Sequence, residues 1–199
     1  MSQELESVQK DRLAAIALGG NCPSPAGAPA ETLQAAISAL TGSDSGESVR
    51  LVAASRFFRT PAWPPGSGDD FVNAVILVRT AASPAALLDR LHRIEAHFGR
   101  QRRERWGPRG LDLDLLFVGD IILPSRAGFE RWRRLAPERQ RSEAPEGLVL
   151  PHPRLQDRAF VLIPLADVAP GWVHPVIGRD VDTMLAGLPA EAKAGILPI

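Results

Sequence analysis

The sequence predicts an α+β fold, one antiparallel sheet with helices packed against it, in the element order β-α-β-β-α-β. Three observations carry this. Short apolar runs bounded by turn residues recur as strands, and two stretches place apolar residues at the helical period of 3.6. Capping residues stand where the second of those helices begins. With 199 residues the chain suits a single domain spanning 1–199, long enough to bury a core without cross-links.

The first twelve residues form a polar leader of mixed charge, unlike a signal peptide. Leu13 to Leu18 then reads as a buried strand ending in a Gly19-Gly20-Asn21 turn. Leu33, Ile37 and Leu40 define an amphipathic helix closed by Thr41-Gly42. Val49, Leu51, Ala53 and Phe57 alternate with Arg50 and Arg56, a half-exposed strand. After a Pro/Gly-rich loop from Thr60 to Asp70, Phe71 to Arg79 is a more apolar strand. Ser83-Pro84 is a cap with proline at the first helical position, and Leu87, Leu91, Ile94 and Phe98 carry that helix to Gly99. An arginine-rich loop, Arg100 to Gly110, leads into a strand from Leu111 to Val118. Gly119-Asp120 is placed to turn that strand into a hairpin with Ile121 to Leu123.

This order is that of a ferredoxin-like βαββαβ sandwich with an antiparallel sheet. Beyond it come C-terminal additions and an inserted segment near 124–147, read as surface with one short helix around Phe129 to Leu135. Ala159 to Val168 reads as a short helix interrupted by Pro164, and Asp180 to Leu188 as a weak one.

Composition narrows the function. Lys+Arg and Asp+Glu are both 23, so a globally basic nucleic-acid binder is not expected. The lone Cys22 makes no internal disulfide and no apolar run reaches the ~20 residues of a membrane span. Together these predict a cytoplasmic protein without nucleic-acid or membrane partners. Yet 21 of the 23 basic residues are Arg, and 12 of those lie between Arg93 and Arg141, so a neutral total conceals a local cationic surface.

Chemistry concentrates in RQRRERWGPRGLDLDLL, residues 100–116. On a strand, Asp112 and Asp114 face one way while Leu111, Leu113 and Leu115 face the other. Paired hard-oxygen ligands suit Mg²⁺, which keeps its waters and bridges to phosphate oxygens. Alone, such a pair is more often a solvated strand face. Arg100, Arg102, Arg103, Arg105 and Arg109 just upstream shift that balance, since guanidinium forks hold phosphate bidentately. Trp106 either stacks on a base or anchors the loop. His92 and Glu95 share a helix edge, with a surface location the plainer reading, and His152 between two prolines reads first as a structural or solvent-facing residue. Neither a zinc-binding spacing nor a Walker A or GxGxxG motif is present.

The string RWGPRGLDLDLL, with IALGGN, TP and FVNAV before it and LPHPRLQDRAFVLIPLADVAP after it, resembles the 6-hydroxymethyl-7,8-dihydropterin pyrophosphokinase family of folate biosynthesis. The likeness runs from about Leu13 to Pro175. It implies a ferredoxin-like fold and transfer of pyrophosphate from ATP to the pterin hydroxymethyl group, releasing AMP. It implies two Mg²⁺ ions on Asp112 and Asp114, with Arg100 and Arg109 beside them as catalytic residues. The ATP site would comprise His92, Glu95, Arg102, Arg105, Trp106, Arg109, Leu115, His152 and Arg158. The pterin site would comprise Thr60, Pro61, Trp63, Phe71, Asn73 and Phe160, the two Phe rings sandwiching a flat heterocycle.

The chain departs from the family pattern at several places: Phe71 stands for a common Tyr, Trp63 for Leu, Gly20 for Ser and His92 for Gln. Pro153 replaces an aromatic residue of some relatives, and a basic residue is missing near Gly147. The competing reading is an RNA-binding module on the same fold. It predicts salt-sensitive RNA affinity and no AMP release. The oligomeric state, monomer or homodimer, is left open.

Overall fold

The computed structural model describes residues 11–42, 49–62, 66, 68–99, 110–136, 139 and 143–199. Six strands pair into one open antiparallel sheet: β1 (Arg12–Gly20), β2 (Val49–Ala54), β3 (Phe58–Thr60), β4 (Phe71–Thr80), β5 (Asp112–Val118) and β6 (Leu197–Pro198). The order across the sheet is β5-β1-β4-β3-β6, with β2 also on β4. Between the strands lie α1 (Pro29–Thr41) and α2 (Pro84–His97). After β5 come α3 (Arg126–Arg133), α4 (Ala159–Val168), α5 (Val181–Ala186) and α6 (Ala190–Lys193). The architecture is α+β.

Local chemistry sets the helix starts. In α1, Pro29 follows the N-cap Ala28, whose N–H donates to Glu31 Oε2 at 2.8 Å. In α2 the Ser83 hydroxyl accepts from Ala86 N–H, with Pro84 in the first turn. Arg90 on α2 donates to the Leu40 carbonyl, closing an orphan acceptor at the end of α1.

The sheet buries both faces. On one, Ala14, Ile16, Leu18, Ala74, Ile76, Leu113 and Leu115 meet Leu33, Ile37, Leu87 and Leu91 of α1 and α2. On the other, Ala15, Val75, Leu77, Leu116 and Phe117 meet Val161, Leu162 and Leu165 of α4 and Val181 and Met184 of α5. The β1/β5 register slips between Ala15 and Ile16. That bulge lets consecutive residues Leu116 and Phe117 both join the second core.

Several sequence expectations need correction. Gly19 and Gly20 are not a turn but the last residues of β1, paired with Asn73 and Val72. The strand expected over Val49–Phe57 breaks into β2 and β3, because Ser55 turns inward: its Oγ accepts from Val75 N–H and donates to the Arg56 carbonyl. Ile121–Leu123 does not form a hairpin with β5. Leu123 exchanges both backbone bonds with Leu150, and His152 N–H takes the Leu116 carbonyl at 2.7 Å, so the 148–153 segment occupies that edge. The 124–147 segment is not wholly surface, since Phe129 of α3 is 0% exposed. Pro164 does not interrupt α4, which continues to Val168.

Candidate active site

Alternation along β5 decides what its acids face. Leu113 and Leu115 belong to the core beneath α1 and α2, so Asp112 and Asp114 point to the opposite side, and both are part-exposed. Across the sheet, Asp112 is registered with Gly19, and Gly19 with Asn73. Asn73 alternates with Ala74 in the same sense, and so shares the face of the two acids.

Asn73 is 7% exposed and donates from Nδ2 to Thr60 Oγ1 at 3.0 Å. Thr60 ends β3 opposite Phe71, the first residue of β4, which is half-buried. From the helical layer above that face, the entry to α4 adds a cation and a ring. Arg158 Nη1 lies 3.4 Å from Asp114 Oδ2, and its guanidinium stands 5.7 Å from the centre of the Phe160 ring, which is 38% exposed. The face thus carries two carboxylates, a guanidinium, an amide and aromatic rings at one end of the sheet.

His152 approaches from the β5 edge. Its Nδ1 accepts from Arg154 N–H at 3.1 Å. Burial pushes its pKa down to about 4, Asp114 opposing the shift and Arg158 and Arg154 adding to it. The ring is therefore neutral near pH 7. With Nδ1 accepting, Nε2 carries the proton. Of the two expectations for His152, structural or solvent-facing, the structure shows the first: it is a part-buried donor beside Asp114.

Glu95 is the larger surprise. Expected on the surface, it is 2% exposed and its Oε1 accepts from Leu113 N–H at 2.8 Å. It supports β5 from behind, midway between the two acids. His92, by contrast, is exposed on α2. Leu115 is buried in the α1/α2 core, so its side chain is on the side away from Asp112 and Asp114. Pro61 is exposed and lies against Gly195. Trp63, Arg100, Arg102, Arg105, Trp106 and Arg109 lie outside the described residues.

Two features had no recognisable sequence signal. Arg56, just after the β2 break, holds Asp167 of α4 through Nε and Nη2 at 2.9 and 2.8 Å, tying the helix above the site to the sheet. This pairing spans 111 positions in the chain. The other is Gly19, whose glycine reads as punctuation until its neighbours across the sheet are known.

Comparison with known proteins decides the family. The family model for 7,8-dihydro-6-hydroxymethylpterin-pyrophosphokinase matches residues 15–170. The chain belongs to this family. A 2-amino-4-hydroxy-6-hydroxymethyldihydropteridine pyrophosphokinase of Synechocystis sp. is 35% identical over 185 residues, covering 93% of this chain and 80% of that one. A pyrophosphokinase of the same name from Pseudomonas aeruginosa is 38% identical over 176 residues, covering 88% and 91%. Among solved structures, a Plasmodium falciparum HPPK-DHPS triple mutant superposes with a TM-score of 0.60 at 15% identity, a likeness of fold. The match covers 92% of this chain and 44% of that longer one. As a pterin pyrophosphokinase, the chain is a diphosphotransferase of folate synthesis, and the RNA-binding alternative is set aside. No helix among the described residues is long and apolar enough to cross a membrane.

Proposed function

We propose that the face shared by Asp112, Asp114 and Asn73 is where this chain transfers pyrophosphate from ATP to 6-hydroxymethyl-7,8-dihydropterin. One observation carries the assignment: a single sheet register sets a carboxylate strand and an amide strand on either side of β1. The triphosphate belongs at the acidic end and the pterin at the Asn73 end. The hydroxymethyl oxygen then bonds to the β-phosphorus as the bond from that phosphorus to the α,β-bridging oxygen breaks, and AMP leaves. The hydroxyl proton is released to solvent as the new bond from oxygen to phosphorus forms.

The donor set fits Mg²⁺. Among the described residues no three His, Cys, Asp or Glu side chains converge, so two carboxylates must share the coordination with water and phosphate oxygens, as this cation favours. Asp112 and Asp114 would hold two such ions, which when bound neutralise charge on the phosphates. Arg158 sits where it can pair with phosphate as well as with Asp114. His152 offers an uncharged N–H donor, and Leu115 can contribute through its main chain alone. Arg100, Arg102, Arg105, Trp106 and Arg109 complete the ATP side in this reading, with His92 from α2, while Glu95 serves that side through its hold on the Leu113 N–H.

On the pterin side, Asn73 offers a donor and an acceptor to the heterocycle's amide edge, with Phe71 and Phe160 against its faces. Thr60, Pro61 and Trp63 close that end. We also read the core as ferredoxin-like with its second strand split into β2 and β3; the strand order across the sheet supports this. The enzyme works in the cytoplasm in this reading.

The decisive experiment measures AMP released from ATP by the purified chain with the reduced pterin and Mg²⁺. Release that requires all three is expected. Absence of pterin-dependent AMP under those conditions would overturn the assignment.

A further inference from the structure

Gly19 has no backbone reason to be glycine. It lies inside a strand paired on both sides, with Asn73 across one edge and Asp112 across the other. Its φ is not among the positive values of the chain's glycines. A glycine inside a strand weakens it and commonly marks a close approach.

The approach is by Asn73. A Cβ at position 19 would stand 2.8 Å from Asn73 Oδ1 and 3.9 Å from its Cγ. Asn73 is anchored from the far side by Thr60 Oγ1, which takes Nδ2 at 3.0 Å, so the amide oxygen is turned back over β1. Among the described residues that oxygen has no hydrogen-bond partner, and Gly19 leaves it the room to lie there. With strands ~4.8 Å apart, β4 and β5 are separated by ~10 Å, and the stretch between them is the bare main chain of Gly19.

We propose that Gly19 is a positioning residue for the pterin: its missing side chain makes the slot in which the Asn73 amide is held. The same absence keeps clear the floor between that amide and Asp112. This rests on the site reading above. It adds that pterin recognition depends on a residue that need not touch the pterin, while nucleotide binding does not depend on it.

The test is a cycle of Gly19→Ala, Asn73→Ala and the double variant, each first checked by thermal melting. Binding of the reduced pterin and of a non-hydrolysable ATP analogue is measured separately, with steady-state kinetics alongside. Gly19→Ala is expected to raise the pterin KM and Kd at least tenfold, with ATP-analogue affinity within twofold of the parent. In the Asn73→Ala background the same change should add no further loss of pterin affinity, because the added methyl no longer meets an amide. Unchanged pterin binding in Gly19→Ala, or losses that multiply in the double variant, would overturn the proposal. If Gly19→Ala alone fails to fold, recovery of a normal melt in the double variant supports the steric pairing, and failure there too refutes it. A parent chain lacking pterin-dependent AMP release would instead refute the site reading.

Discussion

The carboxyl group of Glu95 accepts the backbone N–H of Leu113 at 2.8 Å, so α2 holds β5 at the residue between Asp112 and Asp114. Glu95→Ala leaves a buried amide without its acceptor, at a cost of about 1–3 kcal/mol. Urea unfolding should register that loss, with Glu95→Gln recovering part of it. The KM for ATP should rise more than that for the pterin, because the displaced strand carries the acidic end.

Asp114 faces Arg158 at 3.4 Å from a part-exposed position. Replacing it with Asn should reduce AMP formation by roughly 10²–10³-fold or more, the scale on which one electrostatic group acts at a reacting phosphate. Its melting temperature should stay near that of the parent. Turnover near the parent value would count against Asp114 in the transfer.

Two histidines couple stability to pH. His152 and His174 both have pKa values lowered by burial from 6.5 to about 4. Unfolding restores the higher value, so between about 4 and 6.5 the unfolded chain binds more protons than the folded one. Stability is therefore level with respect to these groups above pH 6.5 and falls as pH drops toward 4. Melting temperatures across pH 4–8 check the sign. Replacing Asp114 with Asn removes the charge that favours protonated His152, so the His152 titration, followed by NMR, should move lower still.

Phe129 decides whether the 124–147 segment matters to the fold. It is fully buried, with its ring centre 5.2 Å from that of His174, which in turn lies 5.5 Å from Trp172 stacked on Phe117 of β5. Phe129→Ala should cost about 3–5 kcal/mol, the range for deleting a buried aromatic ring. Denaturant unfolding would show it. A loss under 1 kcal/mol would mean that α3 is only loosely docked.

The short-range structure of this chain was legible in its sequence because its causes are local. Ser83-Pro84 starts α2, and the alternation of Leu111, Asp112, Leu113 and Asp114 puts both acids on one face, through geometry that needs no distant partner. The family motifs around those residues lie along the chain as well. Tertiary structure decided what depends on register and packing. Glu95 looks like a surface residue in the sequence because helical periodicity cannot say that a strand amide 18 positions away needs an acceptor. Gly19 looks like a turn residue in the sequence because its reason lies in Asn73, on another strand. The split between β2 and β3, the docking of Phe129 and the burial of His152 share that origin: each residue's environment is built from segments far away in sequence. The balance of 23 basic and 23 acidic residues has the same character, for charge becomes a site only where the sheet brings Arg158 to Asp114.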